Sequence, residues 1–211
     1  GTLEGGFGGI DQGVDGIVLV AAHTQTPLTG HDVPLVPLYG ASGERQRSAA
    51  ALIVTHLADL GHRRIVEVAG PVDWREALSR TAGVADVVDR RGLERVGRVE
   101  GDWSAASGAA VADLVAASVR AGATAVAVAN DQMALGLVAG LSARGLAVPD
   151  DVSVGGFDDN PDAAFYTPAL TTVRLDVEGE AAEAVATVLG EEPTRPAEPI
   201  LVVRESTAPP R

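Results

Sequence analysis

The sequence predicts an α/β protein built around a mainly parallel sheet. Short apolar runs alternate along the chain with longer segments whose apolar residues recur at helical spacing. Most of these runs are continuously apolar, as in strands that are buried on both faces of a parallel sheet. A strand–helix rhythm of this kind is typical of parallel sheets in which each helix forms the crossover to the next strand.

The individual elements follow from the same two patterns. The predicted strands, each a short apolar run, are 15–21, 34–38, 64–69, 95–100, 123–129, 152–155 and 200–204. The predicted helices, each with apolar residues at helical spacing, are 44–60, 75–90, 105–120, 132–144 and 177–189. Gly61 marks a helix end. Pro37 has no N–H to donate, so the strand that contains it is expected at a sheet edge.

Composition excludes several classes of function. The chain has 211 residues and no Cys, and its 16 basic residues are all Arg. It therefore has no thiol nucleophile, thiolate metal site, P-loop lysine or Schiff-base amine. It also has no GxSxG motif and no histidine pair at metal-binding spacing, so we expect neither an enzyme nor a metal or cofactor site. The net charge of -13 makes this stretch a poor ligand for nucleic acid.

The sequence carries weaker signals about where the protein acts. No apolar run reaches the length needed to cross a membrane, so no membrane association is expected. The opening nine residues contain five glycines, which disfavours helix and strand, and they have no signal-peptide pattern. We expect that further sequence precedes Gly1 in the natural protein.

Polar residues follow four consecutive predicted strands. These turns are 70–74, 101–104, 130–132 and 157–160, and a helical arginine, Arg80, comes shortly after the first of them. In parallel sheets ligands bind at the carboxyl ends of the strands, so the four turns are expected to meet there. Together they supply a guanidinium, two indoles, an amide and several carboxylates. This mixture suits a neutral sugar, whereas one arginine among several acids would repel a phosphate.

Each candidate residue also has a structural reading. Arg80 could be an exposed helix residue with an acidic partner. Trp103 could cap the core, and Asn130 could be a helix N-cap, alone or in addition to binding a ligand. Asp158 could be a turn former. Their convergence at one sheet edge favours a site for the set as a whole.

Several motifs in a fixed order resemble one known family. They are GHRRI at 61–65, AGP at 69–71, EGDWS at 100–104, ANDQMALG at 129–136, VPDDVSVGGFDD at 148–159 and PALTTV at 168–173. This series resembles the effector-binding domain of the lactose-repressor (LacI/GalR) family of bacterial transcription regulators, and the likeness runs from about residue 14 to 205.

The resemblance implies two Rossmann-like parallel-sheet subdomains with a ligand cleft between them, a periplasmic-binding-protein-like fold of type I. Residues 1–43 and 176–199 would form the N-terminal subdomain, which is incomplete, and 44–175 with 200–211 the C-terminal one. The family's DNA-binding headpiece is absent from this chain. The resemblance also implies a cytoplasmic homodimeric repressor that binds operator DNA through that headpiece and a small-molecule effector, a neutral sugar, in the cleft.

The family's effector contacts match four positions of this sequence. Arg80 matches the arginine that holds sugar hydroxyls, Asn130 and Asp158 match the amide and carboxylate, and Trp103 matches the indole of lactose-type members. The chain also departs from the family in three places. The connection at 38–43 is shorter than the usual crossover. Within it, Tyr39 stands where an acid is common, and Leu175 stands where lactose-type members carry a polar contact.

A second reading remains open at this stage. An exported sugar-binding protein of a transport system would have the same architecture and would carry a signal peptide upstream, where a regulator would carry a helix-turn-helix.

Overall fold

The computed structural model describes residues 13–20, 23–27, 29–30, 33–40 and 43–211. Its strands are β1 (Ile17–Leu19), β2 (Leu35–Pro37), β3 (Arg64–Ala69), β4 (Glu94–Glu100), β5 (Ala125–Val128), β6 (Ser153–Gly155), β7 (Thr172–Arg174) and β8 (Ile200–Val202). Its helices are α1 (Glu44–Asp59), α2 (Arg75–Arg91), α3 (Ala105–Ala110), α4 (Ala112–Arg120), α5 (Asp131–Ser142) and α6 (Val177–Leu189), with a 3-10 helix at Pro161–Phe165. The glycine-rich opening and Ala21, the end of the first predicted strand, lie outside the described residues. No helix of the described part is long and apolar enough to span a membrane.

The central sheet has four parallel strands in the order β4-β3-β5-β6. Its two faces are covered by different helices. Val66 and Val126 pack into one cluster with α4 and α5, whereas Ile65 and Ala125, one residue earlier in the same strands, pack into a second cluster with α1 and α2. This alternation is the period of two that a strand imposes, and burial on both faces explains the continuous apolar runs.

Two smaller sheets flank the central one. β1 and β2 pair in parallel, with Pro37 opposite Leu19 in a two-stranded sheet that places the proline at an edge, as the sequence predicts. Helix α6 packs on both of these strands. Its close approach to β1 requires a glycine at Gly16, where an added Cβ would lie only 2.3 Å from the Val188 side chain.

The prediction of one helix over 105–120 is wrong, because the chain turns at Val111 between α3 and α4. Backbone packing between α3 and α5 accounts for the direction of α3. A Cβ on Gly108 would lie 2.0 Å from the Met133 carbonyl oxygen, and one on Gly136 would lie 1.7 Å from that of Ala105. After the turn, α4 packs against β4 as well as α5.

The sequence analysis also missed one strand. β7, at Thr172–Arg174, pairs antiparallel with β8, so the last strand does not join the parallel sheet. A three-residue strand carries too little periodicity to be separated from the loop around it.

Candidate ligand-binding site

A cavity of about 470 Å³ lies at the carboxyl ends of the central strands. All four residues that the sequence predicts as a site line it: Arg80, Trp103, Asn130 and Asp158. Each is delivered by a different strand-to-helix connection or by the helix that follows it. The expected meeting of the turns at one sheet edge is therefore observed.

Arg80 is a buried residue of α2 whose guanidinium group makes hydrogen bonds and aromatic contacts. Its Nε donates to Gln46 Oε1 at 2.8 Å, and its Nη1 donates to the Ala129 carbonyl oxygen at 2.5 Å. The guanidinium carbon lies 3.8 Å from the centre of the Phe157 ring and 5.4 Å from that of Trp103. These contacts rule out the reading of Arg80 as an exposed helix residue.

Asp158 is the ionic partner of Arg80, with 3.3 Å between Oδ1 and Nη1. Burial raises the pKa of this carboxyl group, and the adjacent guanidinium opposes the rise. Asp158 also forms the turn, as the alternative reading holds, because its φ is 108° and that of Asp159 is 51°. Asp159 forms ion pairs with Arg174 and Arg204 at 2.5 and 2.7 Å, and these two contacts stabilise the turn.

Asn130 has a structural role and a place on the cavity wall. Its Oδ1 accepts from Met133 N at 2.9 Å and so caps the N-terminus of α5. Its Nδ2 donates to the Trp103 carbonyl oxygen at 3.0 Å. One amide N–H and one lone pair remain after these two bonds, so the N-cap reading and the ligand reading are compatible.

Trp103 closes one side of the cavity. Its φ is 75°, a left-handed conformation that the bond from Asn130 helps to hold. The indole packs over Gly70, where a Cβ would lie 2.2 Å from the ring, and forms an edge contact with Trp74 at 5.7 Å between centroids. Within the described residues its buried Nε1 has no hydrogen-bond partner.

The sequence analysis did not predict the rest of the lining. The additional cavity residues are Val20, Tyr39, Trp74, Glu76, Asn160, Leu175 and Val177. Trp74 and Asn160 belong to the four polar turns, and that membership was a usable signal. Glu76 lies four residues before Arg80, so the helical period places both on one face of α2. Tyr39 has a raised pKa because of burial, which its neighbour Arg80 opposes.

Asp131 lies directly behind the cavity wall. Its carboxylate is fully buried and accepts from Thr172 Oγ1 at 2.6 Å and from the backbone N–H of Asn160 at 2.8 Å. Burial raises its pKa to about 7 despite these bonds. The bond to Asn160 links this titrating group to a residue of the lining.

The histidines have structural partners. His62 bonds to Thr124 and to the Ala208 carbonyl oxygen, both at 2.9 Å, and burial lowers its pKa. His56 bonds to Thr207 at 2.9 Å. His31 lies outside the described residues. Across the part of the chain that the structure describes, no group of acidic and histidine side chains could hold a metal ion.

Comparison with known proteins identifies the class and then the family. Residues 54–207 match the family model of the periplasmic binding protein-like domain. The HTH-type transcriptional regulator reg1 of Streptomyces lividans is 38% identical over 230 aligned positions, which cover 94% of this chain and 66% of that protein. The lactose operon repressor of Escherichia coli is 36% identical over 163 positions, covering 77% of this chain and 45% of the repressor.

Solved structures agree with the sequence relatives. A transcriptional regulator CelR–cellobiose complex superimposes with a TM-score of 0.79 at 30% identity, covering 93% of this chain and 67% of the other. A dimeric Lac repressor gives 0.74 at 30% identity, with 92% and 69% covered. The chain therefore belongs to the LacI family, and the predicted periplasmic-binding-protein-like fold is confirmed.

The chain spans 66% of the length of the reg1 protein. The alignment of 230 positions is longer than the 211-residue chain itself, so reg1 carries residues within the aligned span that this chain lacks.

Proposed function

We propose that this chain is the effector-sensing domain of a sugar-responsive transcriptional regulator. The observation that carries the proposal is the set Arg80, Trp103, Asn130 and Asp158, all on the wall of one cavity in a chain of the LacI family. Similarity to regulators supports this function over the alternative of an exported transport protein. The proposed activity is binding, without turnover of the ligand.

The ring of the proposed sugar lies against Arg80 and Asp158. These two charges balance each other at 3.3 Å, so this end of the cavity favours a neutral group. Hydroxyls can accept from a guanidinium and donate to a carboxylate, and the Trp103 indole offers an apolar surface on the cavity wall. A site built from paired polar groups discriminates strongly against ligands that lack a hydroxyl.

The wider arrangement is also proposed from the family. We place residues 1–43 and 176–199 in one subdomain and 44–175 with 200–211 in the other, with the effector in the cleft between them. The packing of α6 on β1 and β2, apart from the central sheet, supports this division. Effector binding would shift the subdomains and thereby the spacing of headpieces in a cytoplasmic homodimer on operator DNA.

A thermal-shift screen of mono- and disaccharides tests the site. A ligand should raise the melting temperature in step with RT ln(1 + [L]/Kd).

The matched control is the exposed pair Arg47 and Asp86, with 2.6 Å between Nε and Oδ2 outside this cavity. Arg47→Ala and Asp86→Asn should leave affinity unchanged. Equal affinity in wild type, Arg80→Ala and Asp158→Asn would show that the ligand binds elsewhere.

A further inference from the structure

Glu76 lines the cavity but takes no part in the ion pair between Arg80 and Asp158. It lies in the first turn of α2, one helical turn before Arg80, and lines the cavity together with both tryptophans. Its Oε2 is buried and has no hydrogen-bond partner in the described part of the chain. No described cation forms an ion pair with it.

The charges on the cavity wall do not balance. The lining residues include two acids, Glu76 and Asp158, and one base, Arg80, so acidic side chains outnumber basic ones by one. Arg80 is the ionic partner of Asp158, and no ion pair joins it to Glu76 among the described residues. The uncompensated charge therefore belongs to Glu76.

Helix geometry explains only part of this arrangement. An acid in the first turn is favoured by the helix dipole, and α6 has one at the same position, Glu178. The dipole gives a reason for the charge of Glu76 but supplies no donor to its buried oxygen, and an unpaired buried oxygen is costly. Glu178 is exposed and does not line the cavity, so the two acids share a position and differ in environment.

Two kinds of ligand group could donate to Glu76. A hydroxyl would satisfy the oxygen and leave the charge unbalanced, whereas an ammonium group would do both, through a stronger, charge-assisted bond. The indoles of Trp74 and Trp103 line the same cavity, and indole faces attract cations. A carboxylate combined with aromatic walls is the chemistry that recognises an amine.

From the placement of Glu76 among these groups, we infer that the effector is an amino sugar or a similar polyol with one protonated amine, and that Glu76 binds this amine. The inference rests on the proposed function, because it assumes that a sugar ring occupies the Arg80–Asp158 end. Beyond the proposed function, the inference specifies that the ligand is positively charged and that Glu76 selects for this charge.

The experiment compares matched ligands that differ at one group. Glucosamine, galactosamine and mannosamine are titrated by calorimetry against glucose, galactose and mannose, at about pH 6, where a primary amine is protonated. The N-acetylated sugars serve as neutral controls of similar shape. The proteins are wild type, Glu76→Gln and the matched first-turn variant Glu178→Gln, each checked for an unchanged circular dichroism spectrum.

Wild type should bind at least one amino sugar about tenfold or more tightly than its hydroxyl and N-acetyl counterparts. Glu76→Gln should abolish this preference, so that each amino sugar binds about as tightly as its hydroxyl counterpart, whereas Glu178→Gln should retain the preference.

Equal binding of amine and hydroxyl sugars by wild type, a preference that survives in Glu76→Gln, or no binding of any amino sugar would each overturn the inference. Binding of neutral sugars that depends on Arg80 would in that case leave the proposed function standing. Loss of dependence on Arg80 and Asp158 would overturn the site itself.

Discussion

Asp131 is the residue whose protonation should be visible in the stability of the whole protein. Its pKa is about 7 in the folded chain, against an ordinary value of 3.8, because the carboxyl group is buried. The folded state therefore holds a proton that the unfolded state has released, and folding stability falls as pH rises from about 4 to about 7. Above pH 7 both states are ionised and the contribution is constant.

We expect Asp131→Asn to remove this part of the pH dependence. In wild type, ionisation of Asp131 should lower the free energy of unfolding by about 2 kcal/mol between pH 5.5 and pH 7.5. In the variant, the free energy of unfolding should change correspondingly less over this range. Urea unfolding at a series of pH values measures it. Asp113→Asn is the control, since the bond to Arg144 lowers the pKa of this exposed acid and it stays ionised throughout the window. Parallel profiles for wild type and Asp131→Asn would contradict the assignment.

The predicted site residues were accessible from sequence because they follow strands. Asn130 and Asp158 come directly after apolar runs, and the carboxyl ends of parallel strands share an edge. Glu76 was not predicted, although it shares a face of α2 with Arg80, because only the packed structure shows how far along that face the cavity extends. Asp131 belongs to one of the predicted turns, but its burial was not predictable, since its partners Asn160 and Thr172 are distant in sequence.

At the scale of elements, the site depends on how two strand-to-helix connections meet. The connection after β3 provides Gly70, and the connection after β4 provides Trp103, whose indole lies on that glycine. The contact leaves no room for a side chain between the two connections. The orientation of the indole is therefore set by the absence of a Cβ on the neighbouring turn.

Gly70→Ala should displace Trp103. The added Cβ would lie 2.2 to 2.6 Å from three ring carbons, so the indole must move, at a cost of about 1–3 kcal/mol in the free energy of unfolding. Near-ultraviolet circular dichroism and urea unfolding measure the two effects, and ligand affinity should fall with them. In Gly97→Ala the nearest atom is 3.5 Å away, so this control should change the tryptophan signal little. Similar spectra for both variants would contradict the packing of Trp103 on Gly70.

The elements that sequence patterns missed have a common physical reason. The turn at Val111 depends on close backbone contact between α3 and α5, and β7 depends on a partner strand that arrives at Ile200. Both are set by tertiary packing, which local periodicity does not encode. The longer elements, such as α1 and β3, have enough periodicity to be predicted almost to the residue.

At the scale of the whole molecule, charge decides what the chain can do alone. With 29 acidic residues against 16 arginines, it should repel the phosphate backbone. We expect no detectable binding of the isolated chain to a labelled DNA duplex at physiological salt, measured by fluorescence anisotropy. The same chain fused to the headpiece of the lactose operon repressor is the positive control. DNA binding by the unfused chain would contradict the proposal that the grip on DNA belongs to a separate headpiece.

The two arginines behind the Asp158 turn have a consequence for the order in which the site is completed. Asp159 forms ion pairs with Arg174 and with Arg204, which lies 45 residues after Asp159 in the sequence and next to β8. The last residue that lines the cavity is Val177, so the ribosome synthesises the whole cavity lining before it reaches Arg204. In the growing chain, the cavity lining is therefore complete before the second of the two ion pairs of Asp159 can form. Truncation before Arg204 would remove this ion pair and the bonds of Ser206 to Thr171 and Val154, without removing any residue that lines the cavity.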